Sequence, residues 1–126
     1  MKRIIVAAVL SLLIASFVHA EGTNASFQTL KGRWLRPDGG YIIEIKAVSA
    51  DGALDAAYFN PRPINVERAS AKEEAGAIKV FIVLRGAGYP GSTYDLIYDA
   101  ERDQLAGTYY QAVMRETFDI YFKRVK

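Results

Sequence analysis

Cysteine is absent from this chain of 126 residues, and histidine occurs once, at His19. No disulfide can therefore support the fold, which must depend on its hydrophobic core and on backbone hydrogen bonds. His19 lies in an N-terminal segment that the sequence predicts to be removed. Ser-His-Asp and Cys-His catalysis, the usual zinc sites and histidine-based pH switching are then excluded. A carboxylate pair for glycoside hydrolysis stays open as an alternative, because such a pair is assembled in space, but a domain of this size is small for such an enzyme. We therefore expect a protein that is not an enzyme, with no cofactor and no catalytic residue.

Long apolar runs are also scarce, since only Ile4–Val18 is almost continuously apolar. This run follows Lys2 and Arg3 and ends at Val18-His19-Ala20, whose small residues suit a signal peptidase. These features predict a secretory signal cleaved after Ala20 and a secreted or periplasmic protein. The alternative is an uncleaved membrane anchor, but the run spans only about 22 Å of helix, against about 30 Å of hydrocarbon.

Neither sign of charge is in excess after the signal. Without Lys2 and Arg3, the 16 basic residues fall to the same number as the acidic ones, 14. Nucleic acids and anionic membranes both require a surplus of basic residues on one face. Neither is therefore expected as the main partner, and no segment after Ala20 is expected to span a membrane.

What the chain does contain is a series of short segments in which apolar and polar residues alternate, as in half-buried β-strands. Turn residues separate them, and no helix-length pattern intervenes; the charged stretch 72–76 is expected to be a loop. The predicted strands are Gly32–Leu35, Tyr41–Val48, Leu54–Asn60, Ile64–Ala71, Ala77–Arg85, Thr93–Asp99, Gln104–Ala112 and Thr117–Arg124.

Eight strands with short connections predict an all-β fold, an eight-stranded antiparallel up-and-down barrel. Closure removes the exposed edges that an open sheet would present. A two-sheet β-sandwich is the alternative. The domain organisation is then a signal at 1–20, a flexible leader at 21–28 and a single barrel domain at 29–126.

The two ends of this pattern resemble the calycin barrels, which include lipocalins, fatty-acid-binding proteins and avidins. Gly32-Arg33-Trp34 opens the first strand, and Phe122-Lys123-Arg124 closes the last. The resemblance implies that Trp34 closes the barrel floor and that Arg124 lies across its indole ring, a cation–π contact.

More local likenesses accompany this pattern. Ala50-Asp51-Gly52-Ala53-Leu54 followed by Tyr58 is similar to the second avidin hairpin, but biotin binding is not implied because avidin pockets use several tryptophans. The segments Tyr58–Ile64 and Tyr89–Tyr94 resemble signatures of a family of small secreted bacterial proteins with no assigned activity.

Aromatic residues are abundant, with eight Tyr, six Phe and one Trp. Tyrosine combines a flat apolar face with a hydroxyl, which suits a ring-shaped or sugar-like ligand. The alternative is that these tyrosines only fill the barrel, since tyrosine favours strands. The predicted ligand-binding residues are Tyr41, Tyr58, Tyr94, Tyr98 and Tyr109 facing inward, with Asn60 and Gln111 near one rim.

No calcium-loop pattern occurs, so no metal ligand is assigned.

Apolar residues also occupy positions predicted to face outward, where a monomer should be polar. They predict a homo-oligomer formed by barrels side by side, unless the leader or loops cover this face. These residues are Phe59, Phe81, Val83, Tyr110 and Tyr121.

Together these features favour a secreted or periplasmic small-ligand-binding or carrier barrel without catalytic activity. Two alternatives stay open. One is a protein-interaction module, such as a hydrolase inhibitor acting through the Glu21–Gln28 leader or the Gly86–Ser92 loop. The other is a structural envelope protein without a pocket.

Overall fold

Eight antiparallel strands follow one another around a closed barrel in the computed structural model, which describes residues 27–86 and 88–126. The strands are β1 (Gly32–Arg36), β2 (Tyr41–Val48), β3 (Leu54–Phe59), β4 (Pro63–Glu74), β5 (Ala77–Arg85), β6 (Thr93–Asp99), β7 (Gln104–Gln111) and β8 (Glu116–Arg124).

The first and last strands pair with each other and close the ring. Trp34 on β1 is opposite Arg124 on β8, and Leu35 is opposite Lys123. The all-β class and the up-and-down barrel are therefore confirmed, and the sandwich alternative is wrong. The predicted signal at 1–20 lies outside the described residues. Within the described part of the chain, no helix has the length and hydrophobicity needed to cross a bilayer.

The core is built from every second residue of each strand, because successive side chains of a strand point to opposite faces of the sheet. On β5, for example, Val80, Ile82 and Leu84 are fully buried inside the barrel. The core also includes Phe27 and Leu30, which lie in a short turn before β1. Phe27 belongs to the segment predicted to be a flexible leader, yet its side chain packs into the barrel.

One end of the barrel is closed by Trp34. Its indole N–H donates to the Leu30 carbonyl oxygen at 2.9 Å, and the Arg124 guanidinium lies 4.3 Å from the indole ring centroid. Arg124 also donates to the Asp103 carboxylate, with a shortest distance of 2.7 Å, and to the Thr29 and Lys31 carbonyl oxygens. This hydrogen bond from Arg124 lowers the pKa of Asp103. The floor thus ties β8 to the turn before β1.

The outward apolar residues do not form one exposed patch. The Arg33 guanidinium covers Phe59, with 5.8 Å between its carbon and the ring centroid, and Arg68 covers Phe81 at 5.9 Å. Val83 is buried. Of the five, only Tyr110 and Tyr121 are exposed.

The connection between β4 and β5 differs from the prediction. The segment 72–76 was expected to be a loop, but β4 continues to Glu74 and a two-residue turn leads into β5. Ala75 and Gly76 have φ of 54° and 81°, as a type I′ hairpin turn requires. Across this hairpin Lys79 contacts the Glu74 carboxylate at 3.3 Å. The charged residues that predicted a loop therefore lie on two paired strands.

We expect Ala75→Asn to raise the free energy of unfolding by about 0.5–1 kcal/mol, because the left-handed conformation is costly for alanine and is tolerated by asparagine. Urea unfolding measures this. Ala100→Asn is the control, since Ala100 lies in a turn without positive φ. An unchanged or lower stability for Ala75→Asn would show that the hairpin turn is not of this type.

We expect Arg124→Gln to lower the free energy of unfolding by about 2 kcal/mol, because the charged hydrogen bonds and the contact with Trp34 are lost. The matched control is Arg102→Gln, since Arg102 pairs with Asp99 on the surface and is 70% exposed. That change should have little effect. Equal losses for the two variants in urea unfolding would contradict a structural role for the floor.

Candidate ligand-binding site

The end of the barrel opposite Trp34 is open and contains a cavity of about 400 Å³. The walls are the ends of the strands, together with the β1–β2 and β7–β8 turns and the loop after β5. The lining residues are Arg36, Asp38, Tyr41, Tyr58, Tyr89, Tyr109, Gln111, Met114, Phe118 and Asp119. We call this cavity the cup.

Arg36 is the charged residue of the cup interior. It lies two residues after Trp34 on β1, so both side chains point into the barrel, but Arg36 lies toward the open end. Its side chain is only about a tenth exposed. The guanidinium donates through Nε and Nη2 to the Asp38 carboxylate at 2.6 and 3.3 Å, and through Nη1 to the Tyr94 hydroxyl at 2.8 Å.

Two aromatic rings hold the same guanidinium. Its carbon lies 4.3 Å from the Tyr41 ring centroid and 5.2 Å from that of Tyr109. Burial by itself would lower the pKa of Arg36, but the hydrogen bonds with Asp38 and Tyr94 outweigh it and raise the pKa. Arg36 is therefore a fixed positive charge in the cup.

Two buried tyrosine hydroxyls extend the hydrogen-bond network of Arg36. The Tyr94 and Tyr58 hydroxyl oxygens lie 2.9 Å apart, and both side chains are almost fully buried. Burial raises the pKa of Tyr94 to about 12 and raises that of Tyr58 further. Both phenols stay neutral at physiological pH and act as hydrogen-bonding groups.

Aromatic faces form most of the remaining wall. Tyr109 stacks on Tyr94 with ring centroids 4.6 Å apart, and Phe118 stacks on Tyr109 with centroids 6.4 Å apart. Tyr58 lies between Tyr41, stacked at 6.2 Å, and Tyr89, edge-on at 6.1 Å. Such walls favour flat ligands, because aromatic rings pack best on other flat surfaces.

The rim of the cup is held by side-chain amides. Asn60 donates from Nδ2 to the Tyr89 hydroxyl, which ties the β3–β4 turn to the loop after β5. Gln111 donates to the Gly88 carbonyl oxygen at 3.4 Å, while its own oxygen accepts from the backbone N–H groups of Val113 and Met114. These amides position the mouth of the cup.

The seven residues predicted to bind a ligand are thus distributed over four places. Tyr41, Tyr58, Tyr109 and Gln111 line the cup. Tyr94 lies beneath it, against Arg36, and Asn60 lies beside Tyr89. Tyr98 is at the opposite end, where its ring is 6.1 Å from Trp34 and its hydroxyl donates to Asp103 at 2.9 Å.

The sequence interpretation missed Arg36, the only arginine of the lining. The spacing could have identified Arg36, because it follows Trp34 by two residues and strand alternation places both on the inner face. A basic residue is usually assigned to solvent, so it was not assigned to the interior.

Comparison with known proteins finds no matching family model, no similar curated protein and no similar solved structure.

The raised pKa values of Tyr58 and Tyr94 predict a loss of stability at high pH. A phenol whose folded pKa lies above its unfolded value of about 10 stabilises the fold fully below pH 10 and loses that contribution as the pH rises. Between about pH 10 and 12, the free energy of unfolding should therefore fall with rising pH. The fall should be less steep in Tyr58→Phe than in the unchanged protein, by about 1.4 kcal/mol per pH unit. Urea unfolding at each pH measures the slope, and the same comparison at neutral pH is the control. Parallel curves above pH 10 would contradict the buried phenol pair.

Proposed function

We propose that this protein is a non-catalytic barrel that binds and carries a small molecule outside the cytoplasm. The observation that carries the proposal is the cup, an open cavity of about 400 Å³ with aromatic walls around a buried arginine. Cavities that bury small ligands measure about 300–1,000 Å³ and combine apolar walls with a few fixed polar groups. The cup has this size and this composition.

The closed floor supports the same function. Among the described residues, Trp34 and Arg124 lie across the other end, so the mouth is the opening through which a ligand would enter and leave. The contact between these two side chains also supports a likeness to the calycin barrels. The proposed location rests on the signal-like sequence at 1–20.

The polar arrangement of the cup supports a binding role over simple filling of the barrel. An arginine inside a barrel is costly to bury, and replacing such a buried charge network with apolar residues often leaves stability unchanged or raises it. Arg36 nevertheless stays charged between two rings and a carboxylate. A group of this kind at the base of a cavity is a frequent feature of ligand recognition.

A protein-interaction module is the second candidate, because two apolar side chains are exposed at the tip of the β7–β8 turn. Val113 is 61% exposed and Met114 is 53% exposed. They lie beside the mouth of the cup, so a partner protein that used them would cover it. The two candidates differ in whether the cup itself takes a small molecule.

We expect naphthalene-sized fragments, added to the ¹⁵N-labelled protein, to shift the backbone amide signals at the mouth, such as those of Gly40 and Gly88. Phe118→Glu should weaken their binding at least tenfold, because it removes an aromatic wall. Tyr121→Glu is the matched control, since Tyr121 lies on the same strand but faces outward and is similarly exposed. Shifts spread over the outer surface, or equal affinities for the two variants, would contradict the proposed function.

A further inference from the structure

The direction of the hydrogen bonds beneath the cup can be deduced from burial. The Tyr94 hydroxyl accepts from Arg36 Nη1 at 2.8 Å, and its residue is fully buried. Its own proton must find an acceptor, since an unpaired buried donor costs about 1–3 kcal/mol. Among the described residues, the Tyr58 oxygen at 2.9 Å is the only remaining partner. Either direction leaves one of these two buried phenols with an unpaired proton, but of the two only Tyr58 lines the cup, where an acceptor can meet that proton. Tyr94 therefore donates to Tyr58.

This direction leaves the Tyr58 proton without a partner in the described part of the chain. The Tyr58 residue is only 1% exposed, and it lines the cup. Its hydroxyl is not free to turn back, because the facing Tyr94 oxygen already supplies a proton. The Tyr58 O–H is thus a buried donor available to an acceptor in the cup.

Arg36 adds two further donors at the same place. A guanidinium carries five N–H groups. Within the described residues, Asp38 accepts from Nε and from one proton of Nη2, and Tyr94 accepts from one proton of Nη1. One N–H on each terminal nitrogen stays unused, and Arg36 lines the cup.

We propose that the ligand is a flat, ring-containing organic acid whose carboxylate accepts hydrogen bonds from Arg36 and the Tyr58 hydroxyl. The ring then packs among the aromatic side chains of the wall. This inference rests on the proposed function and adds the chemical class of the ligand. A carboxylate fits because it only accepts hydrogen bonds and because charged pairs of this kind are the strongest.

An aromatic cavity with carboxylates at its mouth could instead suit a cation, but Arg36 opposes one. Its guanidinium already lies against the Tyr41 and Tyr109 rings at 4.3 and 5.2 Å, so a second cation there would face a like charge. The carboxylates of Asp38, which is paired with Arg36, and of Asp119 also line the cup and are exposed to solvent. They disfavour a second negative charge, so the outward end of the ligand is uncharged or basic.

The test compares three probes of one shape by isothermal titration calorimetry at neutral pH. They are 2-naphthoate, 2-naphthamide and protonated 2-naphthylmethylamine. We expect 2-naphthoate to bind at least tenfold more tightly than either of the others. Tyr58→Phe should weaken 2-naphthoate about tenfold, because one hydrogen bond to a charged group is lost. Tyr121→Phe should leave all three affinities unchanged.

Arg36→Lys provides a second variant in case Tyr58→Phe unfolds, which thermal unfolding would reveal. Lysine keeps the charge but cannot present two parallel N–H groups, so the preference for 2-naphthoate should shrink. Equal binding of the three probes in the cup would overturn the inference and leave the proposed function standing. Preference for 2-naphthoate that neither variant alters would also overturn the inference. Absence of binding by all three would overturn both.

Discussion

Closure of the ring between β1 and β8 is the constraint on which the cavity depends. Trp34 faces Arg124 at this seam, and the Arg124 guanidinium reaches across to the carbonyl oxygens before β1. An open sheet would leave the inner residues of β1 exposed on one side. In the closed ring the same strand supplies the floor through Trp34 and the charge of the cup through Arg36. A strand of five residues thus organises both ends of the molecule.

The polar groups of the cup form a hydrogen-bond network in which each residue satisfies its neighbour. Arg36 is charged and paired with Asp38, faces two aromatic rings and donates to Tyr94, which in turn contacts Tyr58. Buried networks of this kind are costly when incomplete, because every unpaired donor loses its hydration. The network ends in donors that face a cavity, and this is where binding of a ligand would compensate the cost.

The sequence was sufficient for the fold because alternation is a local signal. The bounds of β2, β5 and β6 agree with the predicted strands. The end of β4 was missed because Lys72 and Glu74 read as a charged loop. Their roles become visible only when β5 pairs beside them and Ala75 and Gly76 take the turn conformation.

The candidate site was predictable only in part, because alternation gives the face of a residue and not its height along the barrel. Tyr94 and Tyr98 both point inward, yet four residues of strand separate them by about 13 Å. The register of strand pairing determines the end of the barrel at which each residue lies. Tyr94 lies opposite Tyr109, whereas Tyr98 lies opposite Leu105. Register depends on the neighbouring strands, so the sequence pattern of β6 alone could not place Tyr98 at the floor.

Arg36 is a rigid, charged group between two aromatic rings inside the open end of the barrel. Its side-chain N–H signals in ¹⁵N NMR spectra test this most directly. The structure predicts an Arg36 Nε–H that exchanges slowly with water and shows nuclear Overhauser effects to the Tyr41 and Tyr109 ring protons. A rapidly exchanging Nε–H without contacts to either ring would place the guanidinium in solvent and rule out an enclosed Arg36.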